Sequence, residues 1–205
     1  MASFTHCWKN ARLSLALAVL ALFLQALPTL AQTSTAPAEI AQLRLERSDE
    51  GIFLNAQLRF ELSAAVQDAL RKGIPVYFVA QAHLLQDRWY WSDKKLASAT
   101  RQLRLSFHPL TRRWRLSVTQ GVNPGAALNQ NFEELPQAMA ALTHLSRWKI
   151  AEPSEIDPDA RYTVDFSFRL DLSELPRPFQ IGLLGQTDWT VSVAKNQRVS
   201  MELAK

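Results

Sequence analysis

The chain has 205 residues, with 23 Lys and Arg against 19 Asp and Glu and a formal net charge of +4. That length is enough for one domain with a core of its own. The single cysteine, Cys7, excludes a disulfide framework, and six glycines leave scant material for a phosphate-binding loop.

Residues 1–31 read as an export segment. Lys9 and Arg12 form a positive n-region, Leu13–Leu24 is an apolar run, and Thr29-Leu30-Ala31 offers a small-x-small cleavage site before Gln32. The run is shorter than the roughly 20 residues a membrane span needs. Cleavage and a periplasmic product are therefore expected, with an uncleaved inner-membrane anchor as the alternative. No cysteine follows the apolar run, which argues against a lipoprotein anchor. Cleavage would remove Cys7, Lys9 and Arg12, leaving 21 basic and 19 acidic residues and a charge of +2. That balance gives no reason to expect nucleic acid as a partner. The processed chain would also hold no thiol, so its stability would have to come from packing.

A polar linker, 32–38, leads into a single domain expected over 39–205. Ala41, Leu43 and Leu45 alternate with polar residues, Ser48-Asp49-Glu50-Gly51 is a turn, and Ile52 to Leu62 alternate again apart from Phe53. Successive strand side chains point to opposite faces, so this is a hairpin with one buried face. Ser63 can cap a short helix, Ala64–Lys72, that ends at Gly73. Val76–Leu85 is apolar in both phases, as in a central strand covered on both faces. In Ala97–Phe107, Ala97, Ala99, Leu103, Leu105 and Phe107 share one face. In Arg113–Thr119, Trp114, Leu116 and Val118 do the same, and the short link through Pro109 makes a hairpin turn.

Residues 121–125 read as a loop. Asn131–Ser146 reads as a helix, because Leu135, Met139, Leu142 and Leu145 fall at helical spacing and Pro136 stands early enough to be tolerated. An acidic, proline-broken loop follows at 152–159. Tyr162 to Leu172 alternate cleanly, and Leu175-Pro176-Arg177-Pro178 turns the chain. Trp189, Val191 and Val193 open a last strand, expected to fold back through Lys195-Asn196-Gln197 onto Val199, Met201 and Leu203. The sum is a mainly β fold: an antiparallel two-layer sandwich of about seven to nine strands with two short connecting helices. Leu103, Leu105, Trp114, Leu116, Phe166 and Phe168 are expected in one core.

No catalytic or cofactor-binding constellation stands out. His83, His108 and His144 have no metal-ligand spacing, and G-x-S-x-G and S-x-x-K are absent. Glu152, Glu155, Asp157 and Asp159 supply oxygens of the kind calcium takes, but two prolines stiffen their loop and no glycine stands where a calcium loop turns. A solvated loop is the simpler reading, and no metal is expected. The densest basic stretch holds Lys94, Lys95, Arg101, Arg104, Arg112, Arg113 and Arg115. Strand phase puts Arg104, Arg113 and Arg115 on the wet face, where they either meet an anionic partner or pair with Asp165 and Asp171. The run Arg88-Trp89-Tyr90-Trp91 either fills core or, where Tyr90 or Trp91 is exposed, extends that surface. The candidate interaction surface is thus Arg104, Arg113, Arg115, Tyr90 and Trp91.

Gly73-Ile74-Pro75-Val76-Tyr77-Phe78, Arg88-Trp89-Tyr90-Trp91, Leu105–Arg112, Leu170–Pro176 and Trp189 together resemble the signature stretches of the domain-of-unknown-function 4390 family. These are exported proteobacterial proteins, sometimes labelled proline-rich signal peptide proteins. The resemblance covers nearly all of the processed chain and carries no catalytic residue with it. It implies an envelope accessory role beside a sensor histidine kinase of the nitrogen-regulation type. Three functions stay open: a non-enzymatic periplasmic interaction module that meets an envelope protein or an anionic membrane surface, a carrier of an apolar or lipid ligand between its β-layers, and a hydrolase with a dispersed site.

Overall fold

The computed structural model describes residues 37–88, 93–121, 127–155, 157, 160–175, 187–199 and 202–203. The chain divides into two units, Met1–Ser34 and Thr35–Lys205, and all described residues belong to the second. The expected export segment and most of the linker lie outside the described residues. So do Trp89, Tyr90 and Trp91, most of the 121–125 loop, the Pro176-Arg177-Pro178 turn and Asp159.

The elements are β1 (Glu39–Ser48), β2 (Gly51–Arg59), α1 (Ala64–Arg71), β3 (Val76–Gln86), β4 (Lys94–His108), β5 (Arg113–Gln120), β6 (Leu128–Phe132), α2 (Leu135–Thr143), β7 (His144–Ala151), β8 (Tyr162–Asp171), β9 (Ser192–Val199) and the two-residue β10 (Glu202–Leu203). They form a mainly β fold of two sheets with two short helices. The smaller sheet has the antiparallel order β1-β2-β7, and β10 pairs parallel along the free edge of β1. The larger has the antiparallel order β6-β5-β4-β3-β8-β9.

Alternation builds this arrangement directly. Leu103 and Leu105 lie opposite Val118 and Leu116 on one side and Phe78 and Val76 on the other. All their side chains fall on one face. Leu103, Leu105, Trp114, Leu116, Phe166 and Phe168 share a single core with Leu45, Leu54 and Leu58 of the smaller sheet. Phe60, Phe78 and Phe168 meet there with ring centroids 5.5–5.8 Å apart. Each fully buried Leu or Phe contributes roughly 1.5–3 kcal/mol, which is how a chain without staples closes its energy balance. Ser63 caps α1 by accepting from the Val66 N–H, and Gly73 ends it at φ +84°, a conformation glycine adopts freely.

Three expectations change. The helix expected over Asn131–Ser146 exists only as α2, and strands β6 and β7 occupy its two ends. The Thr143 hydroxyl donates to the Met139 and Ala140 carbonyls, and the chain turns extended at His144. β7 then gains a ladder along β2, which satisfies more backbone than another helical turn could. Leu145 and Trp148 stand three apart because a bulge intervenes: Arg147 has φ +44°, and Leu54 and Ala56, two apart, face Trp148 and Leu145. The helical spacing of Leu142 and Leu145 runs across a boundary: Leu142 is in α2 and Leu145 in β7.

The expected hairpin at Lys195-Asn196-Gln197 is absent. β9 runs straight through those residues, pairing Lys195 with Phe166 and Gln197 with Val164. No glycine stands there to supply the positive φ of a two-residue turn, and β8 offers an unbroken ladder. Trp189 lies in a short 3-10 turn and not in the strand. Finally, β3 is central, between β4 and β8, but only its inward phase is fully buried. On the outer face Val79 is buried, while Tyr77, Gln81 and His83 are half-buried.

Candidate functional site

Arg104 lies on β4, and Arg113 and Arg115 on β5. Register puts Arg104 opposite Ser117, Arg115 opposite Ser106 and Arg113 opposite His108. The three arginines therefore share the outer face, all exposed: Arg104 and Arg115 stand diagonally across the strands, Arg113 is two residues from Arg115 on β5, and no two are directly opposed. None forms an ion pair with Asp165 or Asp171. Arg113 reaches Glu133 at 3.6 Å, the Arg115 Nε–H donates to the Asn131 Oδ1 at 3.0 Å, and the Arg104 guanidinium lies 5.7 Å from the Tyr77 ring centroid. Asp171 instead pairs with Arg169 at 3.7 Å and accepts from the Ser173 N–H and hydroxyl.

The field over these strands has one sign. From Lys94 to Phe132, which covers β4, β5 and β6, the sequence holds seven basic residues and no acidic one. Leu110, in the β4–β5 turn, is 100% exposed, and Leu128, on edge strand β6, is 70% exposed. They add two apolar points at the margins of the cationic stretch. Tyr90 and Trp91 lie outside the described residues.

The other candidates resolve locally. Lys149 pairs with Glu152 at 2.8 Å, and the Glu155 carboxylate accepts from the Glu152 N–H. The acidic loop thus spends these carboxylates on its own chain. No group of three or more His, Cys, Asp or Glu gathers as a metal site among the described residues. His144 bonds Gln57 at 2.6 Å, and the His83 Nδ1 bonds the Ser98 hydroxyl at 2.9 Å. Asp165 is the register neighbour of His83 on its other side. Ser98, His83 and Asp165 thus form a row across three strands. Among the described residues, the backbone N–H groups of these three strands are engaged in the ladders that join them.

Arg101 was counted in the basic stretch, but its inward direction was missed. Arg101 stands at an odd position of β4, in the same phase as Ala99 and Leu103, and so points inward. It is 7% exposed. Its guanidinium lies over the Trp148 ring of β7, 5.1 Å from the centroid. The Nε is enclosed and has no hydrogen-bond partner. Desolvation lowers its pKa to about 10, so the side chain still carries its charge at neutral pH. The signal was present in the sequence: a lone basic residue in the apolar phase of a clean strand.

The chain matches the family described as Domain of unknown function (DUF4390) over residues 35–199. It belongs to that family, and this member has a β-rich fold of two sheets. No curated protein and no solved structure matches the chain.

Proposed function

We propose that this protein is an exported, non-enzymatic interaction module whose working surface is the outer face of β4 and β5. One observation carries the reading: Arg104, Arg113 and Arg115 are exposed together on a stretch that holds no carboxylate from Lys94 to Phe132. Folding does not require that segregation, because exposed ion pairs contribute only about 0–1 kcal/mol each. The partner is an acidic surface of another envelope protein, such as the periplasmic part of a membrane sensor. Arginine suits it because the planar guanidinium takes a carboxylate through two parallel hydrogen bonds. The rigid sheet beneath holds the forks in place before contact, which limits the entropy lost on binding.

The test is a triple variant, Arg104→Glu, Arg113→Glu and Arg115→Glu, checked for folding by circular dichroism and used beside the wild type in envelope crosslinking. The wild type should capture an acidic partner at low salt and lose it progressively at high salt, and the variant should capture none. Equal capture by both at every salt concentration excludes this surface. Co-sedimentation with phosphatidylglycerol vesicles, lost in the variant, would instead identify an anionic membrane as the occupant. Mass spectrometry of the mature N-terminus tests export: it should begin at Gln32, whereas a chain beginning at Met1 and sedimenting with inner membrane would mean an uncleaved anchor.

A further inference from the structure

We propose that Arg101 and Trp148 form a seat between the two sheets for the oxyanion of a ligand, a carboxylate or a phosphate carried on an apolar body. The inference is independent of the outer surface, since Arg101 and Arg104 project from opposite faces of β4.

A buried arginine ordinarily meets a carboxylate or several carbonyls, because an uncompensated charge taken out of water is strongly unfavourable. Arg101 has neither. Among the described residues no hydrogen bond or ion pair engages its guanidinium, and the enclosed Nε is orphaned. The terminal nitrogens are not among the enclosed, unpartnered atoms, so the free end of the fork is the end that meets solvent. The Trp148 ring offers its π-cloud to the guanidinium at 5.1 Å but leaves the N–H donors unused.

The strands that flank Arg101 in its own sheet supply no counter-ion. β4 and β5 contain no acid. Register places Ala80 of β3 directly beside Arg101 on the inner face, with Ala99 and Leu103 on either side along β4. Trp148 itself is 1% exposed and packs edge-on against Phe166, 6.5 Å away at 75°. Gln120 of β5 lies opposite Arg101 in register on its other side, and Ala80, Ala99, Leu103 and Trp148 are small or apolar, around a single cation. Binding sites for amphipathic anions have this composition: apolar walls, with one charged group to orient the head. The guanidinium, 5.1 Å from the indole centroid, has paired N–H donors of the spacing that carboxylate and phosphate oxygens accept.

The test uses the purified protein with three probes: sodium octanoate, sodium acetate and inorganic phosphate, at ionic strength held constant with sodium chloride. The thermal midpoint of the wild type should rise with octanoate or phosphate concentration, as it must for a ligand that binds only the folded state. The Nε–Hε resonance of Arg101, assigned by its absence in Arg101→Lys, should shift over the same range. A response to octanoate well above acetate identifies a carboxylate on an apolar body, and a response to phosphate alone identifies a phosphate. Arg101→Met should lose the response and melt no lower than the ligand-free wild type, because an unpaired buried charge gives way to an apolar side chain. Arg101→Lys, which lacks the fork, should respond at least about tenfold more weakly. Three results overturn the seat: no midpoint shift beyond that of chloride, an equal shift in Arg101→Met, or an Arg101 resonance unmoved by any probe. If Arg101→Met fails to fold, the wild-type resonance and midpoint still decide the matter.

Discussion

The outer faces of the two sheets carry positive charge in opposite ways. On the smaller sheet Arg59 pairs with Glu39, Arg147 with Glu50 and Lys149 with Glu152. On β4 and β5 the cations stand without carboxylates from their own strands, and Arg113 alone of the three central arginines reaches one, Glu133. The cores beneath the two faces are alike, one apolar cluster drawn from both sheets. The contrast therefore shows how little folding constrains exposed charge. Pairs in water contribute too little for stability to enforce them, so a face can be kept positive at almost no cost to the fold.

That separation between inner and outer faces can be broken most forcefully from below. Leu116 faces the core between Arg115 and Ser117, and Phe168 is fully buried on β8. Leu116→Ala and Phe168→Ala should each cost roughly 2–5 kcal/mol, read as a lower midpoint in chemical denaturation. Unchanged midpoints in both would mean that inward and outward phases have been exchanged. On the smaller sheet, Gly51 stands at φ +146°, and an added Cβ would lie 2.7 Å from the Ala151 carbonyl oxygen. Gly51→Ala should cost about 1–3 kcal/mol by the same measurement, because backbone has to yield.

Arg101 sharpens the comparison, as the one arginine of β4 that looks inward. Its folded-state pKa, lowered to about 10, has a definite sign. Below about pH 10 both folded and unfolded states hold the proton, so the folded state bears the full desolvation penalty. The penalty eases only as pH rises from about 10 towards the unfolded value. The stability difference between Arg101→Met and the wild type should therefore stay constant from about pH 5 to about pH 9. A difference that drifts across that window would point to a titrating neighbour. The smallest effects belong to the surface. Glu50→Gln and Glu39→Gln should cost no more than about 1 kcal/mol each and less at high salt. The triple Arg→Glu variant should likewise move stability by under about 1 kcal/mol, however large its effect on binding.

Local pattern was enough to place β1, β2, β4, β5 and β8, the Ser63 cap and the outward phase of Arg104, Arg113 and Arg115. In these segments side-chain period, turn residues and burial agree, so each stretch of a few residues states its own role. Other features depended on distant chain. β7 took its conformation from the free edge of β2, with a bulge at Arg147 that masked its period. β9 stayed straight because β8 offered it a long ladder, and β10 joined β1 in parallel, a pairing no local sequence encodes. The isolation of Arg101 was decided in the same way. Its inward phase can be counted off along β4, but that no described carboxylate pairs with it, and that Trp148 meets it, follows only when the two sheets close on each other. Where period, turn and burial agree, neighbours in sequence decide a strand; where they conflict, and for the partner of a buried charge, neighbours in space decide.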